Sequence, residues 1–274
     1  MVADNIHISL SAETIFYIGG IAITNSMFTT SVVSLLLLLI AVIANRKIAP
    51  TSRPTGLQNV MEWVVEALFN LVHSITHDLK KTHRFFPLVA TFFLFILLNN
   101  WFGLLPGVGT ILKSEKQHEV VTAAKPELDS HDQPIALEEK HEPAVPLFRA
   151  GTADLNTTLA LAVISILATQ LYGAHALKLS YFKKFFDFST PIMFFVGILE
   201  LISEFAKTIS FAFRLFGNIF AGEVLLVVIA ALLPLGVPLP FYGLELFVGF
   251  IQALVFSMLS LVFFNMATMS HEEH

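Results

Sequence analysis

From Phe188 to Leu233 the sequence is apolar almost throughout, with no turn chemistry inside it, and this stretch restricts the fold more than any other. Only Pro191 near its start and the single glycines Gly197, Gly217 and Gly222 punctuate it. As one helix, some 45 residues at about 1.5 Å each reach about 65 Å, roughly twice the hydrocarbon thickness of a bilayer. Ordinary spans tilt by only about 20°. The segment must either fold back or lie steeply tilted in a membrane, and the lack of a turn between 195 and 230 predicts one long, strongly tilted helix over 188–233. Pro234-Leu235-Gly236-Val237-Pro238-Leu239-Pro240 then makes a tight connection. A second long helix, predicted over 241–268, runs back antiparallel to the first and ends in a polar tail.

Charged residues are 14% of the chain, against about 25% in soluble domains, and mean hydropathy is +0.74. That shortage predicts an all-α, polytopic membrane protein built as a single membrane domain over 1–274. There is no basic patch, so nucleic acid is not a partner. Cysteine is absent, which removes disulfides, thiol catalysis and Cys-ligated metals. The first apolar run is preceded by Asp4 and Glu13 and by no Lys or Arg, so it reads as a retained span rather than a cleaved signal.

Residues 1–26 are polar enough to lie outside the membrane, and a first span is predicted over 28–44. Over 57–80, Leu57, Val60, Met61, Val64, Leu68, Leu71, Val72, Ile75 and Leu79 recur at helical spacing opposite Glu62, Glu66, Asn70, His73, His77 and Asp78. That pattern predicts an amphipathic helix on the membrane surface. His73 and His77 are four apart but have no third ligand, so they read as a solvated face rather than a metal site. A second span is predicted over 85–105, where Asn99 and Asn100 near its end can line a wet entrance or bond another helix. Residues 108–153 are rich in acids and form a polar outer loop whose His118, His131 and His141 lack metal-ligand spacing. A third span is predicted over 156–178, with Asp154 and Asn156 placed to cap it. The basic clusters Arg46-Lys47 with Arg53, Lys80-Lys81 with Arg84, and Lys178 with Lys183 and Lys184 all fit one topology. It puts the N-terminus outside and the C-terminus in the cytoplasm.

The helix over 188–233 also carries charge where lipid should be. Arg214 is the notable one: a central Arg costs about 2.5–3.5 kcal/mol on insertion scales, so it should face other protein or water. At about 100° per residue, Glu200, Ser203, Lys207, Arg214 and Asn218 fall within roughly 60° of one another. Glu223 lies on the opposite face, about 13 Å further along the axis, so it cannot pair with Arg214 within the helix. On the last helix Glu245 and Gln252 share a face, and the hairpin puts Glu245 and Glu223 toward the same 234–240 turn. Carboxyls toward the outside, Glu200 and Lys207 toward the inside, and a permanent cation between them describe a proton path with a barrier.

Phe213-Arg214-Leu215-Phe216-Gly217-Asn218-Ile219-Phe220-Ala221-Gly222-Glu223 resembles the signature of subunit a of F-type ATP synthases. Asn100-Trp101-Phe102-Gly103-Leu104-Leu105-Pro106, Thr152-Ala153-Asp154-Leu155-Asn156-Thr157-Thr158-Leu159, and Glu245 with Gln252 resemble further pieces of that family, in the same order. The resemblance implies a stator subunit lying against a rotating ring of c subunits, each presenting a mid-membrane carboxyl, with a peripheral stalk subunit b and the other ATP synthase subunits as partners. Arg214 would be the essential cation between two proton half-channels, with Asn218 and Gln252 supporting it. Glu223 and Glu245 would serve the outer half-channel, and Glu200 and Lys207 the inner one. The resemblance implies no catalytic site, metal or cofactor in this chain, protons rather than Na⁺ as the ion, and a bacterial inner (plasma) membrane location. The chain departs from many members in having Glu245 where they have His. The alternative is a secondary transporter with an intramembrane Arg site for an anion; it would call for internal repeats, and the sequence has none.

Overall fold

A computed structural model of the chain describes residues 11–47, 56–105, 108, 112–113, 145–178, 181, 185, 190–233 and 236–269. Among them six α-helices carry the architecture: α1 (Asn25–Lys47), α2 (Leu57–Thr76), α3 (Leu79–Gly103), α4 (Leu155–Leu177), α5 (Pro191–Leu232) and α6 (Pro238–Ala267). All but α2 are long and apolar enough to cross a membrane. The protein is therefore an all-α, multi-pass membrane protein, as its composition predicts. A short 3-10 turn, Gly151–Ala153, leads into α4. Most of the acidic stretch, with its three histidines, lies outside the described residues, as does the tail beyond Met269.

The long apolar stretch is one helix. Thr190 caps α5 by accepting the Met193 N–H at 3.2 Å, and Pro191 sits in the first turn, where a missing N–H costs nothing. No glycine within it is followed by a break, and its 42 residues extend for about 63 Å. Gly236, at φ +77°, turns the chain. Helix α6 then begins on Pro238 rather than at 241, because proline is preorganised for a first helical turn.

Two boundaries differ from expectation. The amphipathic helix predicted to reach 80 ends at Thr76, where His77 takes a left-handed conformation (φ 52°) and donates its N–H to the His73 carbonyl. Asp78 then starts a new helix by accepting the Lys80 N–H at 2.8 Å. A stop and a fresh cap thus stand back to back, and Lys80, Lys81 and Arg84 belong to the first turns of α3 rather than to a connector. His73 is half-buried rather than fully solvated: its Nδ1 lies 3.1 Å from Thr82 Oγ1, and Thr82 also meets Thr76 at 2.6 Å. Part of the polar N-terminal region is ordered too. Strands β1 (Thr14–Ile18) and β2 (Ile21–Thr24) pair antiparallel around Gly19 and Gly20, both at positive φ.

The core lies where α3 runs along α6 and α4 along α5. Phe92 and Phe93 of α3 meet Phe256 and Phe250 of α6 edge-on, at 5.5 and 5.8 Å between ring centres. Phe211 of α5 meets Phe256 at 5.0 Å, so one ring joins three helices. Small residues let α4 and α6 close in: Ser165 and Ser260, both fully buried, lie 2.7 Å apart. Helix α1 is different. Leu35, Leu38 and Leu39 point away from the core, as suits a lipid-facing span.

Asp154 joins this bundle to its caps. One carboxylate oxygen accepts the Asn156 N–H that starts α4, and the other accepts Ser26 Oγ of α1 at 2.9 Å. Asp154→Ala removes both, at an expected cost of about 1–3 kcal/mol. A thermal-unfolding scan in detergent should show the loss, whereas Asp154→Asn, which keeps an acceptor for the cap, should lose less than half as much. Equal loss would mean that the cap contributes little.

Candidate functional site on the long helical hairpin

Helix α5 buries one face and exposes the other. Phe211, Ala212, Leu215, Ile219, Gly222 and Leu226 recur at three- and four-residue spacing and are buried against α4 and α6. Phe213, Arg214, Gly217, Asn218 and Ala221 lie on the open side. The Arg214 guanidinium stands over its own helix's Phe211 ring, 5.7 Å from the centroid. Among the described residues it makes no ion pair or hydrogen bond. An Arg that finds no acid among the described residues, on a membrane helix, is an incomplete arrangement.

Beside it the hairpin is tied by amides. Asn218 Nδ2 donates to Gln252 Oε1 at 3.2 Å. Gln252 is 5% exposed, and among the described residues its Nε2 has no acceptor. Sequence reasoning placed Asn218 one turn from Arg214 and Gln252 on the facing helix, and the structure brings these two side chains together. The same stretch of α6 is fixed to α3: Asn100 Nδ2 donates to the Gly249 carbonyl at 3.0 Å, and Trp101 Nε1 to the Leu246 carbonyl at 3.1 Å. Thr152 in turn donates to Asn100 Oδ1.

Glu223 and Glu245 both lie toward the turn, but their surroundings differ. Glu223 is gripped by Arg149, whose Nε is 3.1 Å from each carboxylate oxygen and whose second terminal nitrogen is 3.1 Å from one of them. Arg149 is 6% exposed; its other terminal nitrogen donates to the Ser11 carbonyl, and its backbone N–H to Thr29. Glu245 is 7% exposed and makes no hydrogen bond or ion pair among the described residues. Its carboxylate rests on Gly222, where a side chain would collide with it.

At the opposite end of α5, Lys207 pairs with Glu204 at 2.9 Å and lies 5.2 Å from the Phe263 ring centre. Glu204 is turned toward α4 and is 8% exposed. A cavity of about 640 Å³ opens there between α4 and α5, lined by Gln170, Glu204 and Thr208 among apolar neighbours. Glu200 is half-buried, one turn nearer the start of the helix. Tyr181, between α4 and α5, donates to Gln170 Oε1 at 2.6 Å. Burial, and secondarily the charges of Glu204 and Glu200, push its phenol up to about 12, so it stays a donor.

Arg149 and Glu204 are the two site residues that the sequence reading did not single out. Glu204 is about 80° around the helix from Arg214, which puts it outside the face that reading followed. Arg149 had one signal: Glu223 faces away from Arg214 and needed a cation from elsewhere, and Arg149 is the basic residue nearest the start of α4.

The family model described as "ATP synthase A chain" matches residues 27–265. The chain belongs to that family. Among curated relatives, ATP synthase subunit a of the cyanobacterium Gloeobacter violaceus is 33% identical over 249 residues, which is 91% of this chain and 85% of the relative. In this subunit a homologue, Arg214, Gly217 and Asn218 of the Arg-Leu-Phe-Gly-Asn run lie on the open side of α5, while Leu215 is buried. Among the described residues there is no cluster of three or more metal-ligating side chains.

Proposed function

We propose that this chain is the stator that forms two proton half-channels against a ring of c subunits, and so couples proton translocation to rotary ATP synthesis. The observation that carries the proposal is Arg214: an exposed guanidinium in the middle of a membrane helix, unpaired among the described residues. A ring carboxylate arriving at that face supplies the missing anion. Arg214 stays charged throughout, since guanidinium pKa values lie above about 12. It therefore cannot carry protons, but it favours the ionised ring carboxyl and blocks leakage past itself. Gln252 Nε2, buried without an acceptor among the described residues, is a donor available to the same carboxylate, and Asn218 orients it.

Protons reach the ring from the side of the 234–240 turn, past Glu223 and Glu245. They leave along the other half-channel near Glu200, Lys207 and Glu204, where the cavity between α4 and α5 gives room for water. In this reading the chain sits in a bacterial inner (plasma) membrane with its N-terminus outside and its C-terminus in the cytoplasm. Subunit b, the other ATP synthase subunits and lipid cover the remaining apolar surface, including that of α1.

The test is ATP-driven acidification of inverted membrane vesicles carrying Arg214→Ala, with ATP hydrolysis and subunit assembly measured alongside. Loss of acidification by about a hundredfold or more in an assembled complex is the expected result. Normal acidification would leave Arg214 with a structural role only.

A further inference from the structure

The two carboxyls lie at the same level of the hairpin, since Glu245 rests on Gly222 and Glu223 is the next residue along α5. Their chemistry is not equivalent. Glu223 is held by a guanidinium fork through both of its oxygens. That fork is itself held by the Ser11 carbonyl and by the Phe220 ring 5.9 Å away, and the Arg149 backbone N–H is anchored on Thr29 of α1. Charge-assisted, bidentate pairs are the strongest of the hydrogen bonds a carboxylate makes. For Glu223 to take up a proton, the fork has to be broken and a buried guanidinium left uncompensated. Glu245 is the more buried of the two and, among the described residues, has no partner to break from. A proton can add to it and leave it without disturbing any ion pair. Among the described residues, the polar groups that meet α6 beside Glu245 are Asn100 and Trp101 from α3, neither of which is an acid, while the charged groups beside Glu223 are Arg149 and Glu13.

We propose that Glu245 alone carries the proton through the turn-side half-channel, and that Arg149 is a positioning residue that keeps Glu223 a fixed anion beside it. Glu223 then attracts protons into the site without binding them, and Glu245 exchanges them with the ring carboxyl. The step is balanced: one proton moves from water to a Glu245 carboxylate oxygen, and then from Glu245 to a ring carboxylate, which restores Glu245. This assignment rests on the proton-path reading above.

Acidification of inverted vesicles by the assembled complex tests it. Glu245→Gln is expected to lower the rate about thirtyfold or more, and Glu223→Gln only about threefold, the gap expected between a relay and its neighbour. Arg149→Gln strands the Glu223 charge and should cost about tenfold, while the double variant Arg149→Gln/Glu223→Gln should recover at least about threefold of that. A purely structural role for Glu245 is separated by Glu245→His. That variant keeps a titratable group, so it should pump faster than Glu245→Gln and shift the pH of half-maximal pumping toward the imidazole range near about 6.5. Glu223→Gln as damaging as Glu245→Gln, or a double variant no better than Arg149→Gln, would overturn the division of roles. If Arg149→Gln does not assemble, the comparison of the two Gln variants decides alone. Arg214→Ala in the same vesicles keeps the failures apart: only if it too pumps normally does the proton-path reading fall.

Discussion

Replacing Arg214 by lysine is expected to abolish ATP-driven acidification of inverted vesicles, although the formal charge is kept. The proposed barrier depends on a cation that never gives up its proton and is weakly enough hydrated to sit against lipid-facing protein. A lysine ammonium holds water tightly and loses its proton readily when buried, so it can relay a proton between the half-channels instead of separating them. It also lacks the planar fork that holds a carboxylate through two bonds. The expected loss is about a hundredfold or more in pumping, with hydrolysis uncoupled from it. Passive proton leak through vesicles with the c-ring present should rise for Arg214→Lys if the barrier idea is correct. Pumping within about threefold of the parent would show that charge alone suffices.

Gly222→Ala should be the most harmful small change in the hairpin. Gly222 is buried, and a Cβ on it would overlap the Glu245 carboxylate. The atoms it would meet are the far end of a flexible side chain, so the carboxylate shifts and the stability cost should stay at the low end of overpacking, about 1 kcal/mol. The matched control is Gly243→Ala on α6, where a Cβ meets nothing within 4 Å. There the substitution should stabilise the helix by about 0.5–1 kcal/mol. Opposite signs in a thermal-denaturation comparison, together with a fall of about tenfold in pumping for Gly222→Ala only, would locate the effect at Glu245. Two similar results would mean that Glu245 moves aside freely.

The long helix was legible because nothing in 195–230 could turn the chain, and the proline-rich 234–240 segment could do nothing else. The face bearing Arg214 and Asn218 was legible for the same reason: a helix that long obeys its own period. What periodicity does not give is who faces whom between segments distant in sequence. Arg149 meets Glu223 across 74 positions, and its own segment follows an acidic stretch that reads as solvent-exposed. Glu204 was hidden by a rule that looks for one polar face, whereas α5 turns a second carboxylate into α4. The break at His77 escaped because the apolar pattern continues through it to Leu79 and Asp78 looks like part of a polar face. Its role as a new cap shows only when the Lys80 N–H is seen to point at it.

The amide tie between Asn218 and Gln252 has a mechanical side. In the proposed stator, a ring turning against Arg214 would drag α5 sideways, and a single helix about 63 Å long bends easily under a lateral load. Here the load passes within one turn from Asn218 into α6, and from α6 through Asn100 and Trp101 into α3. At the other end of the bundle, Ser165 and Ser260 pin α6 to α4. The hairpin is thus braced at the height where torque acts, and loosening these bonds should make the stator more compliant: Gln252→Leu would let the ring slip under high load while barely changing its free-running speed.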